Sequence, residues 1–317
     1  MNTVTQAELD AIIAKHELWL KKDPEGKMAS FIEANLSGLN FSEKNLSYVQ
    51  FIHADLSNAN LEGANLDSAN FNGARLDSAN LRNACLESTN LEGAELNNAC
   101  LDGANLRGAD CKGASFCWAD LEGANLHGAD LNKANLYSAN FTEAYLHGAN
   151  LYEADLHGAT FTRAILNEAD LEKADLYEAD LGNATLKDAV LGEANLYKTN
   201  LTGACLHGAN FYKANLHDAD LCKADLRGAN LHDANLDNAN FDFATLPLWC
   251  GSLHAHFDER QLRQIAYHLV RAGLHSKNVS EKVKAELAKL IDFANGFHRV
   301  NECGKIYSVY KEVKDVK

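Results

Sequence analysis

The stretch ANLEGANLDSAN at 59–70 decides the fold. Leu61 and Leu66 stand five apart, each preceded by Asn and, one place earlier, by Ala. Outward from this stretch, the same unit runs without insertion or deletion from Phe31 to Leu246. Its central residue falls at every position ending in 1 or 6, and only Cys111 among these is neither Leu nor Phe. The residue two places earlier is nearly always Ala, with Leu39, Lys44, Val49, Thr89 and Thr199 as exceptions. No regular element buries centres five apart. On a helix they would sit about 140° from one another, and on a straight strand they would alternate faces. Within a unit, however, the Ala and the Leu are two apart, as on one face of a strand. The chain must therefore turn once per unit, and Asn, Asp and Gly at the other places tolerate turns. A large residue at the Ala place would overfill the interior. Lys44, near the chain end, is expected to let its ammonium reach water.

The runs at 59–70 and ADLEKADLYEAD at 169–180 closely resemble the pentapeptide-repeat family. That resemblance implies four units per square coil, stacked into a right-handed quadrilateral β-helix. The fold class expected is thus β, a solenoid of about 11 coils. At about 4.8 Å per coil the rod would be roughly 50 Å long. The flanks WLKKDPEGK at 19–27 and LPLWCGSLHAHFDERQ at 246–261 are similar to members from Gram-positive bacteria and their phages.

Three segments follow: 1–29, 30–246 and 247–317. Pro24 and Pro247 bracket the repeat. Solenoid ends need covers, because an open last coil is a sticky edge. Thr5 and Glu8 have capping-box spacing, and Leu9, Ile12, Ile13, His16 and Leu20 follow helical spacing, so a helix over about 6–22 is expected to cover the first coil. After Pro247, Asp258 and Gln261 repeat the capping pattern before a stripe of Leu262, Ile265, Ala266, Leu269 and Val270 that stops at Gly273. A second helix is expected from about Ser280 to Ala294, with Val283, Leu287, Leu290 and Ile291 inward, and a short strand over Lys305–Tyr310. This small C-terminal segment is expected to close the rod or pair with a second copy as a homodimer.

The whole chain carries −15, and residues 30–246 alone carry 31 acids against 13 bases, a net of −18. Such a charge argues against direct nucleic-acid binding. With 20 residues per coil, residues 20 apart form columns on the outer walls. The walls centred on Leu61, Phe71 and Leu76 carry nets of −6, −5 and −6, while the wall centred on Leu66 carries −1. That quieter wall presents Arg107, His127, His147, Lys187, His207 and Arg227 in one column. A second column reads Tyr137, His157, Tyr177, Tyr197 and His217, beside Asp155, Asp175, Glu178 and Asp218. Aromatics interleaved with charge suit protein interfaces, although a solvated ladder would look the same. Acidic columns of Asp110, Asp130 and Asp170, and of Asp120, Asp180 and Asp220, have the regularity of phosphate rows.

The function expected is a non-enzymatic, rigid, acidic scaffold for an unidentified protein partner. No phosphate-binding glycine loop, nucleophile elbow or closed pocket is legible, and no cofactor is expected. The resemblance also implies an alternative. Some family members are acidic rods that occupy the DNA-binding saddle of type II topoisomerases such as DNA gyrase, inhibiting it or protecting it from quinolones. Those members carry loops projecting from the rod, which an uninterrupted repeat lacks. No apolar run is long enough to span a membrane, and eight unpaired-looking cysteines read as cytoplasmic. Cys85, Cys100 and Cys205 are expected to be exposed thiols, with Cys111 in the core. Cys250, His254, His256, His298 and Cys303 are zinc-type ligand residues without a standard spacing. Their ordinary reading is packing, and no metal is assigned.

Overall fold

The computed structural model describes residues 2–245, 262–263, 265–267, 270, 274 and 281–294. From Ser30 to Thr245 the chain forms single-residue parallel bridges, each joining residues twenty apart, from Ser30 with Gln50 through to Asp225 with Thr245. Four five-residue units therefore complete one circuit.

Why this unit closes is clearest from its five amides. In the unit 61–65, Leu61 donates to the Asn80 carbonyl on the next coil at 2.7 Å, and Gly63 donates to Arg82 at 2.9 Å. Asn65 donates back to Lys44 at 2.9 Å, and Ala64 closes the turn onto Leu61 at 3.0 Å. One amide is left, that of Glu62, and the Asn60 side chain accepts it through Oδ1 at 3.2 Å. Asn and Asp thus stand before most centres for a reason beyond turn tolerance: their side-chain oxygen satisfies the amide that no carbonyl reaches. Many also hydrogen-bond along the rod, as Asn80 Nδ2 does to Asn60 Oδ1 at 3.1 Å.

The left-handed residue of each turn is the one before the small residue, with φ between +53° and +71° throughout the rod. A positive φ at the third of four turn residues is the mark of a type II turn. Glycine fills this place in units such as Gly63 and Gly123, but Glu, Lys, Ser and even Trp118 fill it elsewhere.

Inside, the central Leu and Phe side chains and the Ala side chains form one continuous core. Rings stack along the axis where Phe recurs twenty apart, at 4.6 Å for Phe51 on Phe71 and 4.7 Å for Phe141 on Phe161. Each large side chain buried this way contributes about 2 kcal/mol. Thr89 and Thr199 fit at the Ala place because their hydroxyls donate to the Leu66 and Leu176 carbonyls at 3.1 and 2.8 Å. Lys44 is half-buried. Cys111 is fully buried, and burial pushes its thiol pKa up. Cys85, Cys100 and Cys205 are half-buried rather than the exposed thiols expected, because the residue before each centre lies between its neighbours in adjacent coils.

At the N-terminal end, strand β1 (Asn2–Thr3) pairs in parallel with β2 (Ala34–Asn35). Helix α1 (Gln6–Leu20) starts at Thr5 with the expected reciprocal capping box to Glu8. Its Leu9 and Ile13 join the core of the rod, and Gln6 exchanges hydrogen bonds with the Asn40 backbone at 2.9 and 3.0 Å.

Toward the C-terminus, residues 262–263, 265–267, 270 and 274 are helical, followed by α2 (Glu281–Ala288) and α3 (Ile291–Ala294). Tyr267, Val270, Ile291 and Ala294 are buried together. The inward set differs from the expected one. Val283, Leu290 and Leu262 are exposed; Leu290 is left outside because the helix breaks after Ala288 and the buried face passes from Leu287 to Ile291 and Ala294. The Asp258–Gln261 pattern, the strand over 305–310, and Cys250, His254, His256, His298 and Cys303 lie outside the described residues.

Candidate interaction surface

Each ring of the aromatic column occupies the place just after a centre. There its amide is the one held by the preceding Asn or Asp. Asn135, Asp155, Asp175, Asn195 and Asn215 accept the amides of Tyr137, His157, Tyr177, Tyr197 and His217 at 3.1–3.3 Å. The acceptors are themselves linked along the rod, Asn195 to Asp175 at 2.8 Å and Asn215 to Asn195 at 3.1 Å. The backbone beneath the rings is therefore fixed before any partner arrives, which lowers the ordering cost of binding.

Above it, successive ring centroids lie 5.1, 4.6, 5.5 and 5.2 Å apart from Tyr137 to His217. Trp118 extends the column at its N-terminal end, edge-on to Tyr137 at 5.5 Å, and is 59% exposed. Trp118 stands nineteen, not twenty, residues before Tyr137, so a strict twenty-residue column does not contain it. Charge borders the rings. Lys198 Nζ lies 5.2 Å from the Tyr197 centroid and 3.4 Å from Glu178 Oε1. The Tyr177 hydroxyl bonds Glu178 and, with Lys198, holds its carboxyl below the usual range, while the Tyr177 phenol is raised by the same bond. Asp218 Oδ2 lies 3.5 Å from His217 Nε2.

The acidic columns are built into the wall. Asp120 Oδ1 accepts from the Glu122 amide and from Asn140 Nδ2 at 3.2 and 2.9 Å. Asp180 and Asp220 do the same with Gly182 and Asn200, and with Cys222 and Asn240. Asp130 accepts from Asn132 and Asn150, Asp110 from the Lys112 amide, and Asp170 from Glu172. One oxygen of each carboxylate is thus structural. Lys112 Nζ further bridges the outer oxygens of Asp110 and Asp130 at 3.1 Å each, offsetting part of their charge. Among the described residues no cluster of ligand-type side chains is arranged to hold a metal ion.

The pentapeptide-repeats family model matches this chain in eight copies lying between residues 29 and 247. The chain belongs to the pentapeptide-repeat family. Pentapeptide-repeat proteins adopt a right-handed quadrilateral β-helix. Among solved structures, HetL, a pentapeptide-repeat protein involved in heterocyst differentiation regulation from the cyanobacterium Nostoc sp. strain PCC 7120, is 35% identical. The match covers 74% of this chain and 96% of HetL, with a TM-score of 0.32. QnrB1, a plasmid-mediated fluoroquinolone resistance protein, is 20% identical over 60% of this chain and 95% of its own, with a TM-score of 0.46. Rfr23 from the cyanobacterium Cyanothece 51142 is 32% identical over 38% and 64%, with a TM-score of 0.22. No curated protein matches the sequence. Pentapeptide-repeat proteins are generally non-enzymatic structural or interaction scaffolds. No described helix is long and apolar enough to cross a membrane.

Proposed function

We propose that this pentapeptide-repeat protein is a non-enzymatic scaffold of about eleven coils. In this reading it docks a protein partner along the aromatic column from Trp118 to His217. The observation that carries the reading is the column itself: six rings in contact along an acidic wall, five of them on backbone already anchored by Asn or Asp. Rigid aromatic area rimmed by charge is the composition of interface cores and their rims. In the same reading α1 covers one end of the rod, residues 247–317 close the other end or pair two copies, and the protein works in the cytoplasm. The test is affinity capture from the native host with the intact protein and with Tyr177→Ala. An interface residue of this kind is worth about 2 kcal/mol or more, so the variant should lose the captured partner. Equal capture by both proteins would remove the column from the interface.

The acidic columns favour a second reading, occupation of a DNA-binding saddle on a type II topoisomerase. Duplex DNA carries about one charge per 1.7 Å, roughly 30 over the length of this rod, against −18 for residues 30–246. With one oxygen of each carboxylate already held in the wall, the mimicry would rest on the outer oxygens. A DNA gyrase supercoiling assay separates the readings, and unchanged supercoiling at micromolar protein would end the second.

A further inference from the structure

On the quiet wall the Asn and Asp ladder is interrupted. Its column runs Asn65, Cys85, Asn105, Asn125, Tyr145, Ile165, Thr185 and Cys205. Asn105 and Asn125 accept the amides of Arg107 and His127 at 3.2 Å each. Tyr145 and Ile165 have no oxygen positioned to do this for His147 and Asn167. One coil further on the gap is closed differently, because Asn167 Oδ1 reaches forward to the Lys187 amide at 2.9 Å. Among the described residues the amides of His147 and Asn167 accordingly have no acceptor within the protein. They stand one coil, about 4.8 Å, apart.

The surroundings supply more donors and little negative charge. His127 and His147 stack at 5.1 Å. Arg107 lies one coil before them, and its guanidinium makes no ion pair among the described residues, unlike Arg75, Arg82, Arg163 and Arg227. No acid occurs on this wall between Glu87 and Glu168. Tyr145 is 52% exposed beside Ile165, and the wall dips here into an open depression of about 490 Å³.

We propose that this patch binds an extended acidic peptide segment of another protein. One carboxylate pairs with Arg107, and a second accepts the amides of His147 and Asn167, doing for them what Asn does in neighbouring coils. The two anion positions lie about two and a half coils, roughly 12 Å, apart, which an extended chain spans between residues i and i+4. The side chain at i+2 then faces the same way, toward Tyr145 and Ile165, and should be apolar. A short peptide fits better than a nucleic acid, whose dense charge the −15 chain repels. The site is separate from the aromatic column and stands whether or not that column binds.

The test uses the full chain and a fluorescein-labelled peptide, Glu-Thr-Leu-Thr-Glu, at low ionic strength. Titration should move the amide resonances of His147 and Asn167. Replacing both peptide glutamates by Gln, or introducing Arg107→Glu, should weaken binding about tenfold or more, as loss of a charged hydrogen bond does. The deciding variant is Tyr145→Asn with Ile165→Asn. It restores the ladder, so the protein should fold at least as stably and yet lose the peptide. Trp118→Asn, on another wall, should bind it normally. The proposal is overturned if Glu and Gln peptides bind alike, if the two amides do not move, if the ladder-restored variant still binds, or if Trp118→Asn abolishes binding.

Discussion

At the scale of single residues, the position before each centre and the position before each small residue do the most specialised work. Asn at the first satisfies an amide, and its repetition in the sequence was plain even though its acceptor role was not. Composition could suggest a turn, but only the five-amide count shows which N–H lacks a carbonyl. Trp118 shows the other limit of reading residues alone. It holds φ +60°, a conformation that costs a bulky residue about 1–2 kcal/mol and that Asn tolerates. Trp118→Asn should therefore raise unfolding free energy by about 1 kcal/mol in a denaturant titration. The same change removes the exposed ring at the head of the aromatic column and should weaken partner capture. Strain retained at an exposed ring fits a surface selected for contact, and a variant that is both more stable and unimpaired in capture would contradict this.

At the scale of elements, the junction of α1 with the first coil turns on His16. Its ring is fully buried, stacks on Trp19 at 5.5 Å, and accepts the Ala29 amide through Nδ1 at 3.3 Å. Burial lowers its pKa below 6.5, only partly offset by the Ser47 backbone and by Glu17. The folded state therefore binds this proton less readily than the unfolded chain. Stability from the neutral ring is present above pH 6.5 and is lost as pH falls through 6.5 toward and below the folded value. Thermal melts at pH 7.5 and pH 5 should show an acid loss that His16→Gln reduces, and an identical pH dependence in both proteins would exclude His16 as its source. The helix was legible from Thr5, Glu8 and the spacing of Leu9 and Ile13. The C-terminal inward set was less so, because apolar spacing does not reveal that the helix breaks after Ala288 and leaves Leu290 outside.

At the scale of the whole molecule, twenty residues per circuit separate folding from display. Deleting 141–145 keeps every Leu, Phe and Ala inside, yet turns all later residues by one wall. Tyr137 then loses His157 as its neighbour. Deleting 141–160 removes one full circuit and sets Tyr177 beside Tyr137. Both proteins should fold with the β spectrum of the parent, since stability is a sum over stacked units. Only the second should retain partner capture, with a column one ring shorter. Equal capture by both would mean that the partner does not read a column. The sequence by itself determined which side chains face inward, because a period of five with Ala two places before Leu leaves no other way to bury both. It did not determine how many units close a circuit, since that depends on hydrogen bonds between residues twenty apart that no local pattern contains. The resemblance to a known family supplied that number, and the parallel bridges carry it out. Only the tertiary structure decided which outward residues meet, which carboxylate oxygens are held in the wall, and that the amides of His147 and Asn167, neighbours in successive coils, are among those left without an acceptor. Outward contacts are set by stacking between coils, and stacking brings together residues that the chain itself keeps far apart.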